Sequence, residues 1–92
     1  PEYAKQVAQF SVLIDQKQGE LKSLQKDNPT LYQQFSRDIE RLDSTYNVLK
    51  HQLPVNPNKE DLLQAMIYNL QLQIELLNQQ LDIIQKIKTS KT

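Results

Sequence analysis

Cysteine and tryptophan are absent from this 92-residue chain, and glycine, methionine and histidine occur once each. Without cysteine the chain forms no disulfide, no thiolate zinc site and no thiol nucleophile. That absence fits the cytosol and the periplasm equally. A single glycine excludes the glycine-rich loop whose backbone amides cradle a phosphate. No run of about twenty apolar residues occurs, so no segment reads as a membrane span. No secretory leader pattern is present either. The chain starts at Pro1 and ends in the polar stretch KTSKT, which reads as a soluble piece of a longer protein.

Charge of one sign is missing too. The formal net charge is zero, which argues against nucleic acid as a ligand, because phosphate binding needs a clustered basic surface. Lys86, Lys88 and Lys91 look like a basic tail. They fall in the last helical turn and beyond, where cations complement the helix dipole.

What the chain has in plenty is Gln, Leu, Lys and Glu, all good helix formers. Its length predicts one domain with a modest core. Two breaks divide it, KDNPT (Lys26 to Thr30) and LPVNPN (Leu53 to Asn58). In each an Asn precedes a Pro, and Asn caps helices while Pro suits the first helical position. Three helices are expected, over about 2–26, 29–52 and 57–88. For the last one, Asn58 with Asp61 is a rival to Asn56–Pro57 as the cap, and both registers stay open. Gly19 falls on the outer side of the first helix, where it costs ~1 kcal/mol relative to Ala.

Apolar residues recur with 4-3-4-3 spacing. The first helix aligns Tyr3, Val7, Phe10, Ile14, Leu21 and Leu24, with Lys17 interrupting the seam. The second aligns Tyr32, Phe35, Ile39, Leu42, Tyr46, Leu49 and Leu53. Heptad spacing favours long helices at shallow crossing angles, and short links make sequential neighbours antiparallel. The expected fold is all-α, an elongated antiparallel three-helix bundle or coiled coil.

The third helix differs. On a helical wheel, Leu63, Met66, Ile67, Leu70, Ile74, Leu77, Leu81 and Ile84 form one stripe. Ala65, Tyr68, Leu72, Leu76, Ile83 and Ile87 form a second, nearly opposite. Three explanations compete. The helix is central and touches both others on different sides, or its second face self-associates, or that face meets a foreign partner. Tyr68, Leu72, Leu76, Ile83 and Ile87 are the candidate interaction surface, most simply of a homodimer. Ile83 and Ile87 lie where this longest helix overhangs the second one.

Chemistry finds little footing. His51 stands near a helix end, where a favourable terminal charge explains it. Arg37–Glu40, Asp38–Arg41 and Asp82–Lys86 are spaced for helical ion pairs. The serines have no local base and no oxyanion hole. A carboxylate metal bundle needs inward Glu and His, and the inward positions are apolar. Tyr3, Tyr32 and Tyr46 fall on core stripes. No catalytic residue, cofactor site or metal site is expected, and the chain reads as a non-enzyme.

Two stretches nevertheless carry a resemblance. PEYAKQVAQFSVLIDQKQGELKSL contains Val7, Phe10, Leu13, Ile14 and Lys17 in a V-x-x-F-x-x-L-I-x-x-K arrangement. RDIERLDSTYNVLKHQLPVNPNKEDLLQAMIYNLQLQIELLNQQLDIIQKIK contains L-D-x-x-Y-x-x-L-K, a break with N-P, then A-M-I-x-N-x-x-L-x-I-x-x-L-x-x-Q-L. Together they resemble the extracytoplasmic region of membrane-anchored anti-sigma factors of the Bacteroidetes type. The part from Leu42 to Lys88 is the more specific. The resemblance implies a cytoplasmic sigma-binding segment and one membrane helix, both outside this chain. It implies that this piece is the periplasmic sensing or scaffolding half, and it brings no catalytic motif. The alternative is a constitutive structural coiled-coil module, a spacer or adaptor.

Overall fold

The computed structural model describes residues 2–90. They are all helix and short connections, with no strand among the described residues. The elements are α1 (Glu2–Lys22), α2 (Leu24–Asp27), α3 (Pro29–Gln52) and α4 (Lys59–Ser90). The molecule is elongated, 54 × 22 × 15 Å.

The helix expected over 2–26 is interrupted. Ser23 forms a turn, with its N–H and its hydroxyl both donating to the Glu20 carbonyl at 3.2 and 2.8 Å. A side chain that competes for a backbone acceptor in this way loosens a helix end. One further turn, α2, then carries the chain to Asn28.

Asn28 serves two helices at once. Its backbone N–H donates to Leu24 O at 2.9 Å and closes α2. Its side-chain oxygen accepts from Leu31 N at 3.2 Å and caps α3. Pro29 follows at the first helical position, where its missing N–H costs nothing. The span of α3 agrees with the sequence expectation.

The start of α4 is settled between the two candidate registers. Leu62 N donates to Asn58 O at 3.1 Å, so the helix begins after Asn58, not at Pro57. The Asn56 side chain is spent on the Asn58 N–H at 2.7 Å, inside the turn.

Core residues come from every element. Ile14 and Leu21 of α1, Leu24 of α2, Phe35 and Ile39 of α3, and Leu70, Leu77 and Ile84 of α4 form one cluster. Leu77 is wholly buried, at 0% exposure. Val7, Phe10, Tyr32 and Tyr46 pack around that cluster as their seams predict.

α4 is the hub. It packs along both α1 and α3, whereas α1 and α3 approach each other much less closely. Side-chain bonds fix the arrangement. Tyr3 near the start of α1 donates to Glu60 Oε1 at 3.4 Å and accepts from Gln64 Nε2 at 3.1 Å, both near the start of α4. Along α3 the order reverses: Asn69 reaches Leu42, and Gln80 reaches Phe35.

Gly19 is exposed, and a Cβ added there would meet nothing within 4 Å. Gly19→Ala should therefore stabilise the fold by ~1 kcal/mol through helix propensity and a less disordered unfolded chain. In a domain this size that raises Tm by roughly 4–8 °C. A fall in Tm on thermal unfolding would mean that the glycine answers a steric need.

Candidate functional site

The two stripes of α4 are nearly, but not fully, opposite. Around the wheel their centres lie roughly 150° apart on one side. Asn69, Gln73 and Gln80 fill that gap, and they are the buried centre of the helix at 5, 1 and 2% exposure. Leu62, also buried, lies on the same line. The helix is thus buried across a wide arc, with an apolar flank on each side of a row of amides. This is the first of the three explanations: a central helix with one flank for each neighbour.

The amides bind the hub to α3. Asn69 Nδ2 donates to the Leu42 carbonyl at 2.9 Å, and Gln80 Nε2 donates to the Phe35 carbonyl at 3.1 Å. Gln73 Nε2 donates to Asn69 Oδ1 at 2.8 Å. Gln80 Oε1 is buried and receives no hydrogen bond. Sequence reasoning missed this row, because it followed apolar residues only and left Asn69, Gln73 and Gln80 unplaced. The available signal was their position on the wheel, between two apolar stripes.

The five candidate interface residues divide. Tyr68 and Ile83 stand exposed at 63 and 43%. Leu72, Leu76 and Ile87 are half-buried, and Leu76 packs against the core cluster. Asn69 and Gln80 reach α3 from the edge of this stripe, so the stripe adjoins α3. Ile84, one residue beyond Ile83, is buried in the core; the hub remains covered that far along.

Elsewhere the chemistry stays sparse. His51 Nδ1 donates to the Asn47 carbonyl at 2.7 Å in the last turn of α3, which ties the imidazole to the helix end. Of the expected ion pairs only Lys86–Asp82 forms among the described residues, at 3.1 Å on the surface. Arg37–Glu40 and Asp38–Arg41 do not close, since exposed pairs gain too little to hold two long side chains together. No cluster of three or more His, Asp or Glu is gathered for a metal among the described residues. No helix there is long and apolar enough to cross a membrane.

The amide row makes a prediction of opposite signs. Gln80→Met removes an acceptor that has no donor, and the Phe35 carbonyl keeps its helical bond. Stability should rise by about 1 kcal/mol, because an unsatisfied buried group costs more than a neutral hydrogen bond returns. Asn69→Ala strands the Gln73 amide and should cost ~1–3 kcal/mol. Urea unfolding of both variants reads the two signs, and a loss in both would mean that Gln80 Oε1 has a partner in solution.

Comparison with known proteins returns no match: no family model fits the chain, no curated protein resembles it in sequence, and no solved structure matches it.

Proposed function

We propose that this chain is a non-catalytic protein-interaction and sensing module. In this reading it is the extracytoplasmic part of a membrane-anchored anti-sigma factor, folded as an antiparallel three-helix bundle. The observation that carries the interaction part is the α3-side flank of α4. Tyr68 and Ile83 stay exposed there beside half-buried Leu72, Leu76 and Ile87. Large exposed apolar side chains lined up along a central helix mark a contact surface. The simplest partner is a second copy of the chain.

The anti-sigma assignment rests on the sequence resemblance from Leu42 to Lys88. On that reading the sigma factor meets a different segment of the full-length protein, on the far side of a membrane helix. This module acts at a distance. A partner that binds one of its states better than another shifts the population of that state by its differential affinity. A fold with a small core is well placed for such a shift, because a few kcal/mol is a large part of its stability. The second reading is a constitutive structural coiled-coil module. The long, narrow shape of the molecule favours it.

Light scattering on the full chain and on a Tyr68→Lys/Ile83→Lys variant tests the surface. Both positions are exposed, so the variant should keep its helix content by circular dichroism. The expected result is a concentration-dependent dimer that becomes a folded monomer. A monomer at every concentration in both proteins overturns self-association through this flank. The regulatory reading has its own test in the longer gene product. A membrane helix and a cytoplasmic segment that retains a sigma factor are expected, and their absence leaves the structural module.

A further inference from the structure

The exposed flank of α4 continues beyond its apolar members. On the wheel Tyr68, Leu72, Leu76 and Ile83 share an arc of about 80° with Ala65. Asp61, Gln79 and Lys86 fall inside the same arc, and all three are exposed. Asp61 opens the line in the first turn of the helix, and Lys86 closes it one turn before the end.

Counted inward from these two ends, the line complements itself. Asp61 answers Lys86, acid to base. Ala65 answers Ile83, small to large. Tyr68 answers Gln79, phenol to amide, and Leu72 answers Leu76. The midpoints of the four pairs fall at position 73.5 or 74. A surface whose parts match about one point fits its own copy under a two-fold axis through that point, because each contact then occurs twice.

Charge sets the direction. Two parallel copies of α4 would place Asp61 against Asp61 and Lys86 against Lys86, with their helix dipoles aligned side by side. Antiparallel copies place each Asp61 beside the partner's Lys86 and oppose the dipoles. Lys86 already holds Asp82 at 3.1 Å, but its side chain is 77% exposed. An ammonium group has three donors, so a second carboxylate can join the first. Glu75 is exposed at the rim of the arc and comes near its own copy across the axis. Solvent and salt screen that one repulsion, and it keeps the association concentration-dependent.

We propose that the α4 flank binds the same flank of a second copy of this chain, antiparallel, with the two-fold axis level with Gln73 and Ile74. This inference rests on the reading of the flank as a contact surface, and it adds the direction and the register of the contact.

Disulfide mapping tests both. The chain has no cysteine, so engineered thiols report the contact without background. Tyr68 and Gln79 are exposed and face each other across the proposed axis. Each stands roughly 16 Å from its own copy along the helix, at 1.5 Å per residue. That is far outside the ~7 Å between Cα atoms that a disulfide spans. In a glutathione redox buffer, Tyr68→Cys alone and Gln79→Cys alone should stay free of covalent dimer. An equimolar mixture of the two should cross-link, and so should the double variant, at least tenfold more than either alone. Circular dichroism should show the parent's helix content in every variant. Either single variant cross-linking with itself as readily as the mixture means a parallel pair and overturns the proposal. A parent that dimerises by light scattering, with no cross-link in the mixture or the double variant, overturns this register while self-association stands. A parent that is monomeric at every concentration overturns both.

Discussion

The structure depends on how α4 is covered. Its buried arc is too wide for one neighbouring helix, because a helix pair shares only a narrow line of contact. Two neighbours are needed, one for each apolar flank. Once α1 and α3 lie on separate flanks of one central helix, they are held apart from each other. The groove between them and the partly uncovered flank beyond α3 are both consequences of that placement. The core cluster is consistent with it: α4 contributes Leu70, Leu77 and Ile84, and the other elements close on these from either side.

The same placement explains a row of amides in the middle of a small core. A leucine at each of these positions would bury more apolar surface and would be indifferent to the height at which α3 docks. Asn69 and Gln80 instead reach particular carbonyls, those of Leu42 and Phe35. Sliding α3 by one turn would strand both donors in the interior, where an unsatisfied polar group is costly. Polar groups at a packed seam select one register at some cost in stability, and Gln80 Oε1 shows that cost directly.

Much of this architecture was legible in the residues, and the failures have physical causes. Asn28–Pro29 announces its break because one residue closes a helix and caps the next. The turn at Ser23 left no mark, since Leu21 and Leu24 keep the helical spacing across it and both end up buried. At the start of α4, two Asn residues offered equal caps, and only the use of the Asn56 side chain inside the turn separates them. The apolar stripes were visible as stripes, but the narrower gap between them gave no apolar signal. The polar residues in that gap, Asn69, Gln73 and Gln80, are nevertheless buried. The five candidate surface residues were picked by periodicity alone. Periodicity does not distinguish Leu76, packed on the core, from Tyr68, which faces solvent.

The amide row also joins parts of the molecule that the helices keep separate. Gln73 is at the floor of the α1–α3 groove, its amide bonds Asn69, and Asn69 bonds the α3 backbone. Disturbing α3 at Leu42 would loosen the floor by the same route. The groove and the α3 face of the hub therefore share the Asn69–Gln73 pair, besides Asp43 and Tyr46 of α3 that line the groove directly. Replacing the pair with leucines would keep apolar packing but remove the hydrogen bonds that tie the groove floor to the α3 backbone at Leu42.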